Sequence, residues 1–325
     1  MFTRHIGVVR GGPGAEHKVS MLTGASVLEA LRMNERNQVT DIVVTHDKEW
    51  LVNGIVRDPI IVLSSLSVVF NALHGEYGED GEIQRLLERA SVPFTGSNSL
   101  SSRLAMHKGY TKQYVSSCPI GILPHVTIDQ DRIGYANEVA QYMSSRFDGE
   151  FIVKPVSSGS SAGVNIAYSA DHLAEKIREC LNNCQSVMVE PRIKGREATV
   201  GVLESFRGDD VYVLPAVEII PPENSDFFDM EAKYSGKTRE VCPGRFSYSE
   251  KVKMAEAARA IHKAVGLRHY SRSDFIVTED NIYFLEVNNQ PGLTSQSLFP
   301  KACSAVGLSF DQLVNHLLEL AVDKK

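Results

Sequence analysis

The chain has 325 residues, 43% hydrophobic and 23% charged, with a net charge of -6. That balance describes a globular protein of two or three domains, and the lack of a long basic cluster argues against nucleic-acid binding. No apolar run approaches the roughly 18 residues of a membrane span and no leader pattern opens the chain, so no membrane association and a cytoplasmic location are expected.

In chain order, residues 5–9 read as a short apolar strand and Gly11-Gly12-Pro13-Gly14 as a turn. Val19, Leu22, Ala25, Val27, Leu28 and Leu31 form the stripe of a helix. Strands at 41–45 and 68–73 and a helix at 82–90 complete a doubly wound α/β unit over 1–96. A second unit, 97–193, is predicted to hold helices at 102–115, 133–147 and 170–184 and strands at 151–154, 163–167 and 186–190. The third unit, 194–325, opens with strands at 197–204 and 210–220. About 25 residues of little periodicity follow, the kind of stretch that forms lids and binding loops. A capping box of Ser309 with Gln312 then starts a terminal helix striped by Leu313, Val314, Leu317, Leu318 and Ala321. Five scattered cysteines read as reduced thiols, and Cys180 with Cys184 as packing residues rather than zinc ligands.

The most informative segment is a hairpin. Apolar alternation over 273–278 and 282–287 flanks Glu279-Asp280-Asn281, the signal for a three-residue loop. A turn centred on Asp280 pairs Thr278 with Ile282, Asp274 with Glu286 and Arg272 with Asn288, all four of the last on one face. Phe275, Val277, Tyr283, Leu285 and Val287 then form the core face. Facing carboxylates repel, and two of them with an amide oxygen make an all-oxygen site suited to Mg2+ shared with phosphates. A register error leaving scattered surface charge is the competing reading.

Three other places carry chemistry. The loop from Lys154 to Gly163, with Gly159, Ser160 and Ser161, has the small residues and hydroxyls that cradle polyphosphate, or it is a plain connection. Glu190 before Pro191 reads as a hinge near a flat base, or as a surface glutamate. The run from His74 to Gly81 and the nearby Glu16 lie at the ligand-binding end of the parallel sheet, although Glu79 and Asp80 also suit a helix N-terminus.

Taken together, these segments resemble the D-alanine:D-alanine ligase family of the ATP-grasp superfamily. The match runs in order over nearly the whole chain: Glu16 with Val19-Ser20, His74 to Gly81, Thr95-Gly96-Ser97 through Met106-His107-Lys108, and Lys154 to Gly163. It continues with Lys194-Gly195-Arg196-Glu197, Glu231 to Tyr234, Arg272 to Phe275, and Leu285-Glu286-Val287-Asn288 through Leu298. The resemblance implies a multi-domain α/β and α+β architecture, an N-terminal domain ahead of a two-lobed ATP-grasp fold. It also implies ATP-dependent joining of two D-alanines through an acyl phosphate, with a homodimer as the expected assembly. Another D-amino acid or a hydroxy acid as acceptor, or a homologue without turnover, are the alternatives.

Residue by residue, the resemblance makes Asp274, Glu286 and Asn288 ligands of Mg2+, two ions with Mn2+ as a substitute. Lys108, Lys154 and Lys233 become phosphate contacts, Glu190 and Glu197 nucleoside contacts, and Gly159, Ser160 and Ser161 the phosphate loop. Glu16 and His74 hold the first D-alanine, Arg272 and the Gly292 N–H the oxyanion, and Ser297 the second D-alanine. Tyr234 becomes a lid residue that bonds toward Ser160. The chain departs from the family pattern at His107, where an acid is usual, at Ser157-Ser158, and at Asn289-Gln290, where Gln290 is expected to bear on the choice of acceptor.

Overall fold

The computed structural model describes residues 4–157, 159, 163–222 and 238–323. Ser160, Ser161, Lys233 and Tyr234, and most of the aperiodic stretch, lie outside the described residues.

Three sheets organise the chain. The first runs Ile55–Arg57, Trp50–Val52, Asn37–Val44, Arg4–Gly11, Val68–Asn71, with the last three strands parallel. Its central strands are apolar on both faces, as a sheet covered on both sides requires. Ile6, Val8, Val68 and Phe70 meet helices His17–Arg32 and Phe310–Val322 on one side, while Val9, Ile42, Val44 and Val69 join Leu63 and Leu87 of helices Pro59–Ser64 and Glu82–Arg89 on the other. The terminal helix has the predicted capping box and buries Leu313, Val314, Leu317 and Leu318. Although far along the chain, it closes the core on this side of the first sheet.

The second sheet is antiparallel, Val126–Asp129, Ser186–Pro191, Phe151–Pro155, Asn165–Ala167, and is backed by helices Ala136–Ser144 and Ala170–Leu181. Cys180 and Cys184 sit at this helix end with sulfurs 3.9 Å apart as thiols. The third sheet has the order Arg239–Val241, Val217–Ile220, Arg196–Phe206, Tyr270–Val277, Ile282–Asn288, Gly121–Ile122, with Asp209–Val213 also pairing onto Arg196–Phe206. Helix Tyr248–Val265, which the sequence reading missed, packs on its back through Met254, Ala257, Ala258 and Ile261.

Three expectations need correction. The strand read over 210–220 is two, Asp209–Val213 and Val217–Ile220, each antiparallel to Arg196–Phe206. The helix read over 102–115 is two helices, Ser99–Met106 and Lys108–Tyr114, broken at His107, whose ring Nδ1 accepts the Tyr110 N–H at 3.1 Å. An imidazole therefore caps the second helix where an acid would otherwise do so. The hairpin loop is also one residue longer than expected, since Val277, not Thr278, pairs with Ile282. Thr278 instead closes the turn, its hydroxyl accepting from Asn281 N–H at 3.0 Å. A β-bulge then inserts Leu285, so that Asp274 still faces Glu286 and Arg272 still faces Asn288. The core face becomes Phe275, Val277, Ile282, Phe284 and Val287, while Tyr283 and Leu285 leave it.

Candidate active site

The three sheets meet around one cleft of about 1220 Å³. The hairpin's polar face forms one wall. Arg272 grips Asp274 with two nitrogens at 2.9 and 2.8 Å, and Thr199 from the neighbouring strand adds a 2.5 Å bond to the same carboxylate. Lys108, at the start of helix Lys108–Tyr114, reaches Glu286 at 3.2 Å. The repulsion expected between the facing carboxylates is thus offset by one cation each. Burial works against the Arg272 charge, but Asp274, Glu286 and Glu79 outweigh it and raise the guanidinium above its ordinary value. Asn288 turns its amide oxygen to the Gln290 N–H at 2.8 Å.

Among the described residues no three His, Cys, Asp or Glu side chains converge as a metal site. The available donor set is two carboxylates and an amide oxygen on one cleft wall. These hard oxygens suit an Mg2+ ion that would complete its shell with phosphate and water.

The opposite wall comes from the ends of the parallel strands. His74 is buried, its Nε2 2.9 Å from Thr23 Oγ1 and its Nδ1 3.2 Å from Glu79 Oε1. Glu79 is buried as well and also accepts the Gly75 N–H at 3.1 Å, so it buttresses His74 rather than a helix end. Burial, with Glu16 nearby, pushes its carboxyl above the usual range despite the pull of His74. Asp80 alone serves the following helix, accepting the Glu82 N–H at 2.9 Å. The Glu16 carboxylate lies against two glycines: a Cβ on Gly75, whose φ is +66°, would stand 2.2 Å from its Oε2, and one on Gly159 would stand 2.7 Å away. Only glycines admit this approach, which brings the described part of the Lys154–Gly163 loop onto Glu16.

Between the walls lies the slot containing Glu190. This glutamate is fully buried, and its two oxygens are taken by Lys112, at 2.5 Å, and Lys154. Burial pushes its carboxyl up, but the two lysines more than offset that and hold it down at about 2. The surface reading of Glu190 is therefore wrong. Lys112 was missed, although it stands one helical turn beyond Lys108 and so on the same face. Apolar walls flank this point: Ile152, paired with Glu190 across the sheet, together with Ile193 and Leu285. The bulge that removed Leu285 from the core has placed it here. Glu197 also lines the cleft.

At the far end, Gly292 and Ser297 face each other closely, a Cβ on Gly292 standing 2.9 Å from Ser297 Oγ. That hydroxyl is paired with Thr294 Oγ1 at 2.8 Å. Gln290 is not in the cleft wall. It is buried and turned toward the first sheet, so its side chain does not approach an acceptor site as expected. The described residues thus gather Glu16, His74, Lys108, Lys154, Gly159, Glu190, Glu197, Arg272, Asp274, Glu286, Asn288, Gly292 and Ser297 around one cleft.

Known proteins resemble this chain over nearly its whole length. Residues 57–97 match the family model "D-ala D-ala ligase N-terminus" and residues 115–319 match "D-ala D-ala ligase C-terminus". A D-alanine–D-alanine ligase of Syntrophobacter fumaroxidans is 35% identical over 98% of this chain and 97% of its own length. One from Trichlorobacter lovleyi is 38% identical over 97% and 94%. Among solved structures, the VanG D-Ala:D-Ser ligase from Enterococcus faecalis superposes with a TM-score of 0.85 at 28% identity, over 98% of this chain and 100% of that one. The D-alanine-D-alanine ligase from Coxiella burnetii gives 0.85 at 25% identity, over 99% and 95%.

Proposed function

The chain belongs to the D-alanine–D-alanine ligase family, and from that premise we propose how its cleft divides the work of the reaction. It is an ATP-dependent ligase that joins two D-alanines for peptidoglycan precursors, on an ATP-grasp fold. A carboxylate is a poor acyl donor, so the first D-alanine attacks the γ-phosphorus of ATP, the bond to the β–γ bridging oxygen breaks, ADP leaves and an acyl phosphate forms. The amine of the second then displaces phosphate.

Glu16 and the His74–Glu79 pair hold the first D-alanine, whose ammonium calls for an anion. Asp274, Glu286 and Asn288 would hold Mg2+, as two ions with Mn2+ able to substitute, and the metal when bound would spread the charge of the phosphate oxygens. Lys108, Lys154 and Lys233 pair with those oxygens, and Gly159, Ser160 and Ser161 cover them. Glu190 stays with its lysines and shapes the floor of the adenine slot, leaving the base to meet Ile152, Leu285 and neighbouring backbone, while Glu197 faces the ribose. Arg272 and the Gly292 N–H stabilise the oxyanion as the second amine attacks. Ser297 orients that molecule's carboxylate, and Tyr234 closes over the site toward Ser160 to exclude water. In this reading the protein works as a cytoplasmic homodimer, each chain divided into three units, 1–96, 97–193 and 194–325.

The observation that carries this reading is the Asp274–Glu286 and Arg272–Asn288 register on one cleft wall, across from Glu16 and His74. Glu286→Gln removes one anionic donor and should lower D-alanine-dependent phosphate release by at least about 100-fold, within the range of a lost charge-stabilising group. An unchanged rate contradicts the metal assignment. A preference for D-lactate over D-alanine as acceptor at neutral pH contradicts the assigned product.

A further inference from the structure

We infer that Gln290 is a positioning residue: it fixes the pocket for the first D-alanine in register with the strand end that carries the metal ligand Asn288 and the loop that carries the oxyanion donor Gly292. The inference rests on the ligase reading above.

Both ends of the tie are on view. Gln290 Nε2 donates to the backbone oxygens of Leu73, at 2.6 Å, and Asn71, at 3.0 Å, which uses both its hydrogens. Its Oε1 accepts from Asn71 Nδ2 at 2.8 Å. Asn71 is itself anchored, donating to Gly78 O at 3.1 Å and accepting the Leu73 N–H at 3.2 Å. The next residue after Leu73 is His74. On the other side, the Gln290 backbone N–H holds the Asn288 amide oxygen at 2.8 Å. Asn289 repeats the bridge, its Nδ2 donating to Glu79 O at 3.1 Å, and Glu79 is the residue that buttresses His74.

The segments so joined, the end of strand Val68–Asn71 and the loop after strand Ile282–Asn288, are 219 residues apart at Asn71 and Gln290 and adjoin different sheets. Gln290 and Asn71 are almost fully buried, at 2% and 1% exposure, and neither lines the cleft. They therefore touch no substrate. What they set is the offset between the carboxylate held near His74 and the phosphate held near Asn288, a distance to which reaction rates are steeply sensitive. A buried amide that spends all its donors on one partner segment also leaves several polar groups unmatched when it is removed, so the joint is held in one arrangement.

Gln290→Met keeps the length and apolar volume and deletes the hydrogen bonds. The expected result is a kcat about 10- to 100-fold lower, in line with an ångström-scale misplacement, with KM for ATP and the ratio of D-alanine to D-lactate use within twofold of the parent protein. Asn71→Leu removes the bond to Gln290 Oε1 from the partner side and should lower kcat by a similar factor. Hydrogen exchange gives a readout independent of turnover: amides of 71–79 should exchange at least tenfold faster in Gln290→Met. A kcat within twofold of the parent in both variants, or a lower melting temperature with kcat and exchange unchanged, overturns the inference. A tenfold shift in acceptor preference overturns it as well, since it would make Gln290 a selectivity residue. If the parent protein forms no dipeptide, the ligase reading fails, and the exchange rates alone then decide whether the clasp exists.

Discussion

Glu190 shows how much a single buried charge depends on its neighbours. Lys112 and Lys154 together hold its carboxyl down at about 2 against the effect of burial. A depressed carboxyl contributes stability that is present above the unfolded value near 4.5 and is lost as pH falls toward 2. Lys112→Met leaves Glu190 with Lys154 alone, and should cost toward the lower end of the about 3–5 kcal/mol typical of breaking a buried pair. Urea unfolding at pH 7 measures the loss, and acid unfolding should begin at higher pH than in the parent. His269 opens a second window. Burial, with Arg268 beside it, lowers its imidazole to about 4, and its Nδ1 accepts the Gly96 N–H at 2.9 Å. A depressed histidine stays neutral in the fold while the unfolded chain takes up a proton below its ordinary value near 6.5. Stability should therefore fall by up to about 1.4 kcal/mol per pH unit from there toward 4. Replacing His269 with Gln should flatten that slope in urea titrations at pH 7 and pH 5. Residues of this kind were only partly legible: Asp274, Glu286 and Arg272 announce themselves through strand spacing, whereas Lys112 and Thr199 gain meaning only from partners far along the chain.

The elements differ in how openly they declare themselves. The terminal helix carries both a capping box and large apolar residues, and both are found where the pattern put them. Helix Tyr248–Val265 has an equally complete capping box, Ser247 with Glu250, yet buries Ala257 and Ala258, whose small side chains give a faint stripe. Its cap is expected to matter in proportion: Ser247→Ala should destabilise the protein by about 1 kcal/mol, as loss of an N-cap hydroxyl typically does, read from the urea midpoint. The hairpin teaches a subtler point. A turn one residue longer than expected would have carried Glu286 to the opposite face, and the bulge at Leu285 restores it. Alternation alone cannot reveal two compensating irregularities. Their joint effect is nonetheless functional, since Leu285 is released from the core to the cleft wall.

At the scale of the molecule, three sheets border a shared cleft, the first and third of them joined through one apolar core. The order of motifs along the chain made that convergence expected. The contacts that hold the sheets in mutual register were not legible, because nothing local marks the docking of helix Phe310–Val322 on the first sheet or the clasp of Gln290 on Asn71. The cleft's polar groups are arranged for a transferred phosphoryl group and an attacking amine, and an isotope label follows both in one experiment. With D-alanine labelled with 18O in its carboxylate, together with ATP and Mg2+, the account predicts D-alanyl-D-alanine and one 18O atom in each phosphate released, because the carboxylate oxygen that attacks the γ-phosphate leaves with it. Dipeptide formed with unlabelled phosphate, or no dipeptide at all, would contradict it.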